Sequence, residues 1–225
     1  MSPFDIFVFI IEIVSSITFA ISGAITAIKK GLDMFGVIIL GVTTATGGGI
    51  IRDLVLGITP PATFVNPIYA AVSAAAALIT FAIESHHYKK SSCTETIPAT
   101  KLSDSLMFWL DTLGLGIFTM VGVEVAFDQA SDYNAYLICF VGVITGVGGG
   151  FMRDIMSGNT PYIFIKHFYA CACIIGSIVS IFLWNRTGRI TAMLTGAGVI
   201  ILLRVLAARY KWNFPRIKLE PKQDI

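Results

Sequence analysis

The residues able to do chemistry are concentrated in two stretches, TATGGGIIRDLVLGITP from Thr44 to Pro60 and TGVGGGFMRDIMSGNTP from Thr145 to Pro161. At an offset of 101, Gly41, Thr44, Gly47, Gly48, Gly49, Arg52, Asp53, Gly57, Thr59 and Pro60 fall on Gly142, Thr145, Gly148, Gly149, Gly150, Arg153, Asp154, Gly158, Thr160 and Pro161. The chain is therefore an internal duplication. Three adjacent glycines strip a helix of side-chain cover and weaken its winding by about 1 kcal/mol each. Both triplets are expected to bend or unwind and to expose carbonyl oxygens. With the hydroxyls of Thr43, Thr44, Thr46 and Thr145, those carbonyls are hard donors suited to a partly dehydrated alkali cation. The competing reading is close helix packing through small faces. A phosphate loop is excluded, because no Gly-Lys-Ser/Thr follows the glycines and no strand precedes them.

Charged residues accompany both triplets. Arg52 and Asp53, like Arg153 and Asp154, are adjacent and are expected to point apart on a helix, each pairing elsewhere. They read as structural ion pairs or as a charge gate beside a pathway. A second repeated pattern supplies carboxylates and rings: Glu12, Phe19 and Gly23 recur as Asp111, Phe118 and Gly122, with steps of seven and eleven in both. Such steps fall near whole turns, so each trio occupies one helix face. A carboxylate on that face belongs against protein or water, since charge facing lipid is costly. Phe19 and Phe118 are candidates for a hydrophobic constriction, or for plain core aromatics. Arg204 reads as a residue near a helix end that snorkels to the surface.

These residues need elements to position them, and composition says which. The 225 residues are 55% hydrophobic and 13% charged, with a mean hydropathy of +0.79, against about 25% charged in a soluble domain. Apolar windows of membrane-spanning length recur at about 4–28, 35–57, 66–84, 104–127, 134–157, 166–184 and 190–208. The expected fold is an all-α membrane protein with seven transmembrane helices. The amino-terminal stretch has no basic region and no cleavage site, and reads as a retained span. Eleven basic residues (Lys29, Lys30, Lys89, Lys90, Lys101, Lys166, Arg209, Lys211, Arg216, Lys218 and Lys222) fall on one side, and Arg186 and Arg189 on the other. The positive-inside rule then sets the amino terminus outside and the carboxyl terminus in the cytoplasm.

Three spans separate the two copies, so the second runs oppositely through the bilayer. That is an inverted 3+3 repeat plus a seventh helix, an arrangement that places working sites near the midplane between halves. The expected single transmembrane domain covers 1–208, with repeat one at 4–84, repeat two at 104–184 and the seventh helix at 190–208. Residues 209–225 form a basic cytoplasmic tail. Gly57 and Gly158, followed by Pro60 and Pro161, read as helix stops. The segment from His86 to Lys101 reads as a polar loop. Cys93 falls in it, whereas Cys139, Cys171 and Cys173 read as packing residues.

The doubled GGG-x-x-R-D helices, the three-plus-three-plus-one spans and the outside amino terminus resemble the prokaryotic branch of the trimeric intracellular cation (TRIC) channels, from about Ile6 to Ala208. The resemblance implies a homotrimer in membrane lipid, each subunit holding its own potassium-permeable pore lined by the first, second, fourth and fifth helices. The glycine triplets would sit at the middle of that pore. The Lys-Glu-Val motif of the animal members is missing, as is any Lys or Arg in the fourth span from Asp104 to Phe127. Some bacterial relatives are associated with uptake of glycine or other small amino acids. Two functions therefore stand: a potassium-permeable cation channel, or a secondary transporter of a small neutral amino acid, whose carboxylate a broken helix end could hold. Neither requires a cofactor, a resident metal or a nucleic acid; potassium binds only in transit. No His-Glu-x-x-His or Gly-x-Ser-x-Gly motif marks an enzyme, and the seventh span has no lysine for a Schiff base.

Overall fold

The structure is a computed structural model that describes residues 2–90, 99–129, 134–165 and 168–212. Cys93 and most of the basic tail lie outside the described residues. Nine helices follow one another among the described residues: α1 (Pro3–Lys29), α2 (Met34–Val55), α3 (Ala62–Val65), α4 (Ile68–Lys90), α5 (Ala99–Gln129), α6 (Ala135–Met156), α7 (Tyr162–Ile165), α8 (Ala170–Thr187) and α9 (Arg189–Tyr210). All but α3 and α7 are long and apolar enough to cross a membrane. The His86–Lys101 loop is shorter than expected, because α4 continues to Lys90 and α5 begins at Ala99.

Helix ends follow local chemistry. Ser2 and Asp5 form a reciprocal capping box ahead of Pro3, with Ser2 N donating to Asp5 Oδ2 at 2.6 Å and Asp5 N to Ser2 Oγ at 3.1 Å. Asp33 and Asn134 cap α2 and α6 by accepting from Gly36 N and Leu137 N. Gly57 and Gly158 take φ of 73° and 68°, a region in which a β-carbon is strained. Each lets the next amide turn back, Ile58 N to Asp53 O and Asn159 N to Asp154 O, both at 2.8 Å. These glycines are stops, as expected.

Within the first half α1, α2 and α4 pack mutually, and within the second α5, α6 and α8 do the same. The halves meet through α2 on α6 and α1 on α5, and α9 packs only on α5 and α8 among the longer contacts. The second copy is inverted relative to the first. Helix α5 is the central one, with 67% of its apolar window buried against 17% for α4. Small residues set the close contacts, as in Gly41 against Ala77 and Gly176 against Ile200.

Candidate functional site: a glycine crossing between two charged clusters

The glycine triplets do not unwind. α2 runs unbroken from Met34 to Val55 and α6 from Ala135 to Met156, which overturns the expectation of exposed carbonyls. The reason is tertiary. A β-carbon on Gly48 would fall well within 3.0 Å of the Thr145 carbonyl oxygen, and one on Gly149 equally close to that of Thr44. The two helices thus touch backbone to backbone, and the packing offsets the weak propensity of glycine. Gly47 meets Met152, Gly148 meets Gly48, and Gly150 meets Tyr169.

The threonines divide. Thr44 and Thr145 donate back to Leu40 O and Val141 O of their own helices. Their hydroxyls press on Gly23 and Gly122, so the glycines that end the two repeated trios are the seats of α2 on α1 and of α6 on α5. Thr46 donates to Val42 O at 2.9 Å and faces a cavity, while Thr43 is half-buried.

Phe19 is fully buried, its ring lying against Gly149 on one side and Gly114 on the other. Phe118 meets it with ring centroids 5.2 Å apart and planes tilted by 46°. Together they fill the space beside the crossing.

On either side of the crossing sits a charged cluster, and the two are made of corresponding parts. At the amino-terminal end of the bundle, Arg52 Nε donates to Asp53 Oδ1 at 2.8 Å, Arg52 Nη1 lies 3.8 Å from Glu12 Oε1, and Tyr69 Oη donates to Glu12 Oε2 at 2.6 Å. At the other end, Arg153 Nε donates to Asp154 Oδ1 at 2.9 Å, Arg153 Nη1 to Asp111 Oδ1 at 3.2 Å, and Tyr169 Oη to Asp111 Oδ1 at 3.2 Å. The neighbouring Arg and Asp therefore do not point apart. The long guanidinium side chain folds onto its own neighbour, and Asp53 and Asp154 use their second oxygen to hold Ala62 N and Tyr162 N at 2.8 and 2.9 Å. Each aspartate thereby fastens the short helix after its glycine stop.

The clusters differ in exposure and in charge. The second is sealed, with the Arg153 and Asp111 side chains both 0% exposed, and Arg153 Nη1 also donates to Ser22 Oγ across the repeat interface at 2.7 Å. Arg204 joins it: buried, it donates to Asp111 Oδ2 at 3.2 Å and to Thr112 Oγ1 at 3.1 Å. The expectation that it snorkels is wrong, because α9 turns this face toward α5. The first cluster borders a cavity of about 70 Å³, and the Glu12 side chain is 18% exposed. Glu12, Arg52 and Tyr69 line that cavity together with Ser16, Thr46, Gly49 and Phe118.

Sequence reasoning missed Tyr69, Tyr169 and Glu124. The tyrosines recur as Tyr-Ala at the starts of α4 and α8, which was a legible signal. Glu124 is a buried carboxyl on α5 in electrostatic reach of Glu12, Arg52, Asp128 and Arg189.

Inverted three-helix repeats joined at a small-residue crossing, with charge held inside, define a class of polytopic membrane proteins. A family model described as glycine transporter matches residues 9–85 and 108–185. The chain is 34% identical over 215 residues to the UPF0126 inner membrane protein YadS of Escherichia coli K12, covering 95% of this chain and 97% of that one. It is 28% identical over 209 residues to the UPF0126 membrane protein YvgT of Bacillus subtilis, covering 92% and 94%. Among solved structures, a TRIC cation channel determined to explain conductance superposes with a TM-score of 0.79 at 36% identity, covering 94% of this chain and 98% of that one. The TRIC orthologue of Rhodobacter sphaeroides gives a TM-score of 0.79 at 28% identity, covering 91% and 98%. The chain belongs to this family of UPF0126 membrane proteins and prokaryotic TRIC channels.

Proposed function

We propose that this protein is a potassium-permeable monovalent cation channel, with a separate pathway through each subunit of a homotrimer. The observation that carries the reading is the cavity at Glu12, a carboxylate-bearing recess lined also by Phe118 within a fold common to the TRIC cation channels. The pathway runs between α1, α2, α5 and α6, with Thr46 and Gly49 on its wall and Phe19 and Phe118 as the constriction. Dewetting between apolar rings closes such a path without charge. The two Arg-Asp pairs and their carboxylate partners flank it, open to the cavity at Glu12 and sealed at Asp111. Opening then requires α2 and α6 to part or bend at Gly48 and Gly149. The amino terminus lies outside and the tail from Arg209 inside, so the Glu12 mouth faces outward. The conducting unit is 1–208, and 209–225 is a basic surface segment.

A second reading is supported by one feature of the same cavity. Glu12 and Arg52 present opposite charges 3.8 Å apart, which complements the ammonium and carboxylate of a small amino acid, and the family model carries the glycine transporter description. Purified protein in a planar bilayer with potassium chloride, together with labelled glycine uptake into liposomes, separates the two. Unitary potassium currents without saturable glycine uptake are expected. Saturable uptake without unitary currents would replace the channel by a transporter.

A further inference from the structure

The duplication accounts for every member of the two charged clusters except Arg204. Glu12 corresponds to Asp111, Arg52 to Arg153, Asp53 to Asp154 and Tyr69 to Tyr169. The helix α9 lies outside the repeat and adds a guanidinium to one cluster alone. In ionised form the ion-paired groups at the Glu12 end are two carboxylates and one guanidinium, with the Glu124 carboxyl a further acid nearby, while those at the Asp111 end are two of each. The first therefore carries surplus negative charge beside a cavity, and the second is neutral and sealed. Arg204 is fixed in place, with its guanidinium 4.5 Å from the Tyr169 ring centre and 5.3 Å from that of Phe108. Side chains that only snorkel are not held from two sides in this way.

We propose that Arg204 is a tethered counter-cation, occupying at Asp111 the place that a permeating cation takes at Glu12, and that it makes the two ends of the pathway electrically unequal. The proposal rests on the cation-channel reading above. A low-dielectric recess with surplus charge of one sign concentrates ions of the other, and one guanidinium within hydrogen-bonding distance cancels that surplus. Arginine suits the role because it stays charged and is weakly hydrated.

A native thiol reports on the sealed end. Cys173 is fully buried on α8 one turn beyond Tyr169, and its thiol donates to the Tyr169 carbonyl at 3.5 Å. The test uses the full chain in liposomes with Cys93→Ser, Cys139→Ser and Cys171→Ser, and compares Arg204→Met with Arg204→Lys. The probes are methanethiosulfonates bearing an ammonium or a sulfonate. In Arg204→Met, Cys173 is expected to react about tenfold faster with the cationic reagent than with the anionic one. The Lys variant and the parent should show no such preference, and adding Asp111→Asn to Arg204→Met should abolish it. Equal acceleration by both reagents would mean loosened packing and would overturn the proposal. So would no acceleration, or a Lys variant that behaves like Met. If Arg204→Met does not fold, Thr112→Val, which removes one of the two hydrogen bonds to the guanidinium, should give a smaller preference of the same sign, and its absence is refuting. Potassium currents measured in parallel separate the two readings: a parent that carries none refutes the channel, while the sign preference at Cys173 still decides the role of Arg204.

Discussion

The backbone contact between the two triplets makes a prediction in which neighbouring glycines behave differently. A methyl carbon needs roughly 3.3 Å from a carbonyl oxygen, and the Gly48 position offers less than 3.0 Å to the Thr145 carbonyl. In Gly48→Ala, α2 and α6 must therefore part by on the order of an ångström, at an overpacking cost of about 1–3 kcal/mol. At Gly49 the nearest atom to an added β-carbon is Arg52 Nη2 at 3.9 Å, an ordinary contact. Both positions lie inside the same helix, so the gain of about 1 kcal/mol in propensity is shared and cancels in the comparison. The difference between Gly48→Ala and Gly49→Ala isolates the clash. Equilibrium unfolding in mixed detergent micelles should place Gly48→Ala about 1–3 kcal/mol below Gly49→Ala. The double variant Gly48→Ala/Gly149→Ala should cost less than the sum of its parts, by about 0.5–3 kcal/mol, because the first methyl already spreads the helices. Equal stability of the two neighbouring variants, or strict additivity in the cycle, would show that α2 and α6 do not touch there and would refute the reasoning.

Truncating Phe19 to Ala removes a fully buried ring wedged between Gly114 and Gly149, so unfolding should reveal a loss of about 3–5 kcal/mol. Phe118→Ala, which opens onto the cavity, should raise potassium flux into liposomes at smaller cost, and unchanged flux would make both rings packing residues. Arg153→Met leaves Asp111 and Asp154 sealed with one guanidinium between them, for an expected loss of about 3–5 kcal/mol. Arg52→Met, at the open cluster, should cost distinctly less in the same unfolding assay; equal losses would contradict the difference in burial.

The spans, their inverted order, the two glycine stops and the face shared by Glu12 and Phe19 were legible in the sequence, because each depends on short-range periodicity or on backbone geometry. The fate of the triplets was not. Three glycines favour unwinding by propensity and close approach by size, and only the carbonyl of Thr145, distant in sequence, decides between them. The pairing of Arg52 with Asp53 escaped for another reason: adjacent β-carbons diverge on a helix, but a guanidinium reaches far enough to turn back. Tyr69 and Tyr169, legible as a repeated Tyr-Ala, fall out of register with the triplets. Glu12 and Asp111 are 99 residues apart, the tyrosines 100 and the triplets 101, so no single register aligns a whole cluster.

Two inverted copies of one chain segment would, alone, give a pathway whose ends are equivalent. The copies have diverged, as Ser22 at Arg153 and the buried Glu124 show, and the seventh helix adds a further difference between the ends. Here α9 packs on α5 and α8 and brings Arg204 to Asp111. The 18% exposure of Glu12 against 0% for Asp111 has the same sense as that imbalance. Burying a carboxylate is costly unless it is paired and hydrogen-bonded. Asp111 has two guanidinium partners and a tyrosine, whereas Glu12 has one guanidinium at 3.8 Å and a tyrosine. The better-supplied carboxylate can be sealed and the other is left facing the cavity. In this chain, therefore, the carboxylate with two guanidinium partners is the sealed one, and the seventh helix supplies the second partner.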